Sequence, residues 1–213
     1  MNNLVKRELP YERVLFFSDA IVAIAITLLA LDLRLEVPEE HQLTFRDLLT
    51  PWRNYLAFVL SFVNIASFWR LHHQMYSYIN RMDSRTIGYN TGWLFFIITL
   101  PFSTSVLSTH FGDSAAVFLY SLNIFALSVF QNGLWDSSDF KSNYIEEGKL
   151  SDVERSRFRV MFNFEIANGL ICVLLSFFLP KLSFFLLFFK VPVLIFASVY
   201  FSRQRTKKSK IEA

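Results

Sequence analysis

Ser18, Asp19, His72, His73 and Asn90 are the chemically capable residues of this 213-residue chain, because each lies in or beside an apolar block of membrane-spanning length. A carboxylate in mid-membrane costs about 2.5 to 3.5 kcal/mol, and histidine titrates near neutrality, so Asp19 with His72 or His73 could form a proton relay. The same groups, with Arg13 and Trp69, could instead lock helices together, since polar groups buried in lipid have to be satisfied. The lock is the plainer account. HExxH, GxSxG, a P-loop and CxxC are absent, and two adjacent histidines cannot share one helix face as i, i+4 metal ligands do. Cys172 is the single cysteine, which excludes an intrachain disulfide, and in its apolar run it reads as packed core. No enzyme activity, cofactor or resident metal is expected.

The elements that position these residues follow from composition. The chain is 53% hydrophobic and 17% aromatic, and its 18% of charged residues falls below the roughly 25% of soluble domains. Charge is confined to short stretches between apolar blocks, which excludes a soluble amphipathic bundle. Six blocks approach the length of about 20 residues needed to cross a hydrocarbon core of about 30 Å: 13–33, 52–78, 86–108, 114–134, 158–179 and 182–202. The second has polar last turns. The first exceeds the roughly 7 to 15 apolar residues of a signal peptide and is expected to be a retained helix.

The expected fold is an all-α integral membrane protein of six transmembrane helices, a single domain over residues 1–213 with a basic tail at about 203–213. With both termini inside, the inner segments hold fifteen Lys and Arg, while the outer ones hold Arg34, Arg46, Arg53 and Lys181. That asymmetry predicts an N-in, C-in topology. The tail RQRTKKSK then serves orientation and lipid contact rather than nucleic-acid binding. The acidic outer loop shows no recognisable motif.

Depth along antiparallel helices brings the polar residues to one level. Asp19 lies about 9 Å along the first helix from Arg13 at 1.5 Å per residue, and His72, His73 and Asn90 fall at comparable depth. Gly88 and Gly92 give a GxxxG spacing suited to close packing there. Glu165 falls near the same level, with Arg70 or Arg159 as expected partners, whereas Lys190 would snorkel or pair with a neighbour. Beyond Asp19, Ile24, Leu28 and Leu31 lie within about 60° of one another, with Thr27 on the edge of the stripe. Such a stripe is ordinarily a packing seam, although apolar rings can gate a pore by dewetting.

Arg13, Phe17, Ser18 and Asp19 make RxxxFSD, followed by AIVAIAITLLAL; FWRLHH spans Phe68 to His73, and Asn90 precedes Leu100, Pro101 and Phe102. This pattern resembles the endo-lysosomal potassium channel family, transmembrane protein 175, and in particular its single-repeat prokaryotic members. The resemblance covers the first three helices and reaches the last three only by hydropathy. It implies a homotetramer in a prokaryotic cell membrane, with four first helices lining a central pore for potassium. Ile24 would be the narrowest ring, Leu28 and Leu31 would extend it, and Thr27 would match a layer linked to ion selectivity. Arg13, Phe17, Ser18, Asp19, Trp69, His72, His73 and Asn90 would form the network that holds the pore helix. The absence of a TVGYG-like filter agrees with this and predicts modest selectivity. The alternative is a proton-coupled secondary transporter using an Asp/His relay, but neither an inverted repeat nor paired broken helices support it.

Overall fold

A computed structural model describes residues 11–35, 38, 40, 42–139, 144–145, 148–190, 192, 193 and 196. Its long elements are α-helices: α1 (Tyr11–Leu29), which tightens into a 3₁₀ turn at Ala30–Asp32, then the short α2 (Phe45–Leu49), α3 (Trp52–Tyr76), α4 (Ser84–Thr109), α5 (Ser114–Asp139) and α6 (Asp152–Leu175). Residues 180–190 form a further helical run, α7. Among the described residues the sole β contact is an isolated bridge between Ile79 and Ile145. The basic tail lies outside the described residues.

Among the described residues four elements are long and apolar enough to cross a membrane: α1 with its 3₁₀ turn, α4, α5 and α6. The second expected span, α3, has 25 residues but carries Asn54, Asn64, Arg70, His72, His73 and Gln74, so its length exceeds its apolarity. The sixth expected span, 182–202, is continuously described only to Lys190.

Helix ends follow local chemistry. Asp83 caps α4 by accepting from the Thr86 backbone N–H and hydroxyl, both at 2.8 Å. Ser151 caps α6 through the Glu154 N–H at 3.3 Å. The fifth expected span, 158–179, is therefore corrected: the helix starts at Asp152 on a charged, capped turn that apolarity alone does not reveal, and it ends at Leu175. The fourth, expected at 114–134, runs on to Asp139 because its last turn is buried, with the Ser137 and Ser138 hydroxyls bonded to the Leu134 carbonyl. The loop expected to lie outside, between α1 and α3, is not motif-free either. In α2 the Asp47 carboxylate accepts from the Thr44 N–H at 2.8 Å and its hydroxyl at 2.7 Å, a capping pair written in the sequence as Thr-x-x-Asp.

Helix α4 packs most extensively on α5, and the fit is reciprocal. A Cβ on Gly92 would overlap the Phe130 ring, and a Cβ on Gly133 would overlap the Tyr89 ring. Gly88, the other half of the expected GxxxG pair, has nothing within 4 Å of that position, so only Gly92 serves close approach. Gly112 (φ +92°) makes the left-handed turn between α4 and α5. One apolar cluster joins α1, α3, α4 and α5 with Phe184 and Leu187 of α7. A second, around Tyr76, Trp135, Phe158 and Phe162, fills the end of the bundle where α1 begins and α3 ends.

Candidate functional site on the first helix

Helix α1 is divided by face. Ser18, Val22, Ala25 and Leu29, spaced four, three and four residues apart, are buried against the bundle. Ile24, Thr27, Leu28 and Leu31 stand on the opposite side and are exposed. Ile24 and Leu28 rim an apolar groove of about 180 Å³ against Ile98 of α4. The Thr27 hydroxyl donates to the Ile24 carbonyl at 2.8 Å, which spends its proton within the helix and leaves oxygen lone pairs facing out. Only 22% of the most apolar window of α1 is buried, against 33% to 50% for the other three spans, although α1 has the highest mean hydropathy of the four.

Three of the expected layer residues meet directly. Asn90 of α4 donates from Nδ2 to the Ser18 hydroxyl at 3.0 Å, and its Oδ1 accepts from His72 Nε2 at 2.9 Å and from the Tyr76 hydroxyl at 3.1 Å. The Ser18 hydroxyl donates in turn to the Val14 carbonyl at 2.7 Å, so the serine both accepts and donates. This assignment gives His72 its proton on Nε2. The His72 ring is sandwiched, stacked on Trp93 at 4.2 Å and 4.4 Å from the Tyr76 ring. Tyr76 and Trp93 are absent from the set that sequence reasoning assembles; the four-residue step from His72 to Tyr76 is the available sign of the first.

Asp19, Trp69 and His73 form a second, more open link between α1 and α3. The indole of Trp69 donates to Asp19 Oδ1 at 2.8 Å, and the His73 ring lies 5.6 Å from the Trp69 ring. Asp19 and His72 are thus engaged by different partners. Arg13 and Phe17 are exposed and, with Asn90 at the base, line a cleft of about 390 Å³ between α1 and α4.

Glu165 is a correction, while Lys190 takes the second of its two expected roles and pairs with a neighbour. Neither expected partner of Glu165 is used: Arg70 is exposed, and Arg159 faces Asp136 at 3.3 Å. Instead Lys190 Nζ donates to Glu165 Oε2 at 2.8 Å and sits 4.5 Å from the centre of the Phe68 ring, with both charged side chains buried. Lys190 does not snorkel. The same Phe68 offers its backbone carbonyl to Gln131 Nε2 at 3.0 Å, tying α3 to α5.

Residues 13–101 match the family model described as the endosomal/lysosomal potassium channel TMEM175. That stretch contains every pore-face and layer residue named above. A Streptomyces collinus protein named as a potassium channel is 33% identical over 58% of this chain, and one from Chamaesiphon minutus is 34% identical over 58%. The aligned stretches span 62% and 63% of those relatives, less than two thirds of their length. A chicken protein named as the endosomal/lysosomal proton channel TMEM175 is 32% identical over 60% of this chain and 28% of its own length. Among solved structures, the TMEM175 homologue of Chamaesiphon minutus superposes with a TM-score of 0.68 at 26% identity, covering 91% of this chain and 96% of that one. A single-residue variant of the potassium channel MtTMEM175, solved with a nanobody fusion, superposes at 0.60 and 22% identity over 97% and 99%, a likeness of fold. With its spans, its RxxxFSD helix and this match over residues 13–101, the chain is an integral membrane protein that is similar to the TMEM175 family over its first three long helices.

Proposed function

We propose that the protein is a potassium-preferring cation channel, in which four copies of the chain place α1 around a common axis. The observation that carries this reading is the mismatch on α1: the most apolar span is the least buried, with Ile24 and Leu31 each 59% exposed. A lipid-facing helix could look the same. What favours a shared axis is the polar anchoring on its other face, which fixes the rotation of α1 and so commits one stripe outward. In this reading Ile24 is the narrowest ring, Leu28 and Leu31 extend the constriction, and Thr27 presents its oxygen beside them. Arg13, Phe17, Ser18, Asp19, Trp69, His72, His73 and Asn90 hold the helix rather than meet the ion. The whole chain acts as one six-helix domain with both ends inside, in the cell membrane, and works without a cofactor.

Hydrophobic rings of this kind pass ions only when wetted. Potassium flux into liposomes holding the purified protein is expected under an imposed gradient, without a coupling ion. Ile24→Asn is expected to increase it by wetting the ring. Unchanged flux in a well-assembled Ile24→Asn protein would reject the pore face. The competing proton-coupled carrier predicts potassium flux only against a proton gradient, and the same vesicles with a pH dye decide it.

A further inference from the structure

The segment between α1 and α3 carries more exposed apolar surface than a solvated loop needs. In α2, Phe45 and Leu49 are 88% and 71% exposed with Leu48 beside them, while Arg46 and Asp47 take the other side. Exposed apolar residues do not stop at the end of α2. Trp52, Leu56, Val59 and Phe62 recur along α3 at steps of three and four and, like Phe45 and Leu49 just before the turn at Thr50 and Pro51, are all exposed.

The level of this stripe follows from two tryptophans. Trp52 and Trp69 are the exposed indoles of α3. Their separation along the helix is about 26 Å at 1.5 Å per residue. That nearly matches a hydrocarbon core of about 30 Å, the spacing of two aromatic belts. Trp52 then marks one boundary, and α2, immediately before it, lies at headgroup level, where amphipathic helices lay their apolar face among acyl chains. The Arg53 guanidinium lies 5.5 Å from the centre of the Trp52 ring. Arg34, Arg46 and Arg53 are three of the four cations that the positive-inside topology leaves outside, at the level where lipid phosphates lie.

We propose that α2 is an interfacial anchor, with Phe45 and Leu49 seated among outer-leaflet acyl chains and Arg46 and Arg53 holding phospholipid phosphate. It rests on α3 being a membrane span. A solvated loop, or a second copy of the chain covering the face, is the rival.

The test uses full-length protein in phosphatidylcholine and phosphatidylglycerol vesicles, with a fluorophore on Phe45→Cys or, separately, Leu49→Cys. Cys172 is buried, so the label reports the new thiol, with unsubstituted protein as the blank. Lipids brominated near the headgroup end of the chain are expected to reduce emission roughly twofold or more, and aqueous iodide to do little. Quenching by iodide alone would overturn the proposal in favour of a solvated loop, and quenching by neither in favour of a protein contact. A label at Val59→Cys, quenched by deeply brominated lipid, checks the span on its own; loss of that signal would reject α3 as a span and the anchor with it.

Discussion

Breaking the Glu165–Lys190 pair is expected to be more damaging than deleting it. Both side chains are at most 1% exposed, their contact is 2.8 Å, and Glu165 Oε1 has no hydrogen-bond partner among the described residues. Lys190→Met leaves a bare carboxylate in the bundle, and Glu165→Gln leaves an ammonium with a neutral amide. Removing one member of a buried pair costs about 3 to 5 kcal/mol, whereas replacing both with apolar residues is often neutral or stabilising. For a chain of this size about 2 to 4 °C is lost per kcal/mol, so each single change should lower the melting temperature by about 6 to 20 °C. Glu165→Leu combined with Lys190→Met should recover most of that. Size-exclusion chromatography of detergent-solubilised protein after heating measures the loss. Single variants melting within about 2 °C of the parent, or a double variant as unstable as the sum of the singles, would refute the reasoning, since coupling of this size has to show as non-additivity.

Gly92→Ala is expected to destabilise by about 1 to 3 kcal/mol, because its Cβ has to displace the Phe130 ring, whereas Gly88→Ala should be neutral or stabilising; thermal survival of the two variants compares them directly. Asn90→Leu removes the partner of Ser18, His72 and Tyr76 together, and at about 1 to 3 kcal/mol for each buried group left unsatisfied it should reduce folded yield sharply. Asp19→Ala, which frees only the Trp69 indole at a more open site, should be milder and should lower assembled yield more than it alters potassium preference. A well-assembled Asp19→Ala protein that has lost only ion preference would contradict the structural role given to that layer.

Much of the arrangement is legible in the amino-acid sequence, and the failures have specific causes. The bounds of α1 and α4 follow from apolar runs between polar ends, and counting depth along antiparallel helices puts Ser18, His72 and Asn90 at one level. Which of them touch is a matter of rotation, which depth does not supply. Tyr76 and Trp93 therefore escape a reading by depth, and Arg13, placed in the same layer, is exposed at the mouth of a cleft that Asn90 also lines. Glu165 shows how one boundary error propagates. Starting its helix six residues late misjudges its depth by about 9 Å along the axis, and the partner it finds, Lys190, lies against Phe68, one turn from His72, on a side that depth does not reveal. The capping signals Thr44-x-x-Asp47 and Ser151-x-x-Glu154 are present in the sequence, and they locate α2 and the start of α6.

Helix α3 buries Ser61, Asn64 and His72 among its apolar residues, and this bears on how the chain enters the membrane. Asn64 donates to the Tyr120 hydroxyl at 3.3 Å, and Ser61 donates to the same oxygen at 3.1 Å. Phe68 waits for Gln131, and His72 for Asn90. These partners belong to α4 and α5, which leave the ribosome later, at about 5 to 20 residues per second. For several seconds α3 therefore holds these polar groups without their partners on α4 and α5, Asn64 keeping only its bond to the Leu60 carbonyl at 2.9 Å, and α3 is not among the helices apolar enough to span on their own. Its insertion is expected to be carried by the α4–α5 hairpin, which supplies those partners.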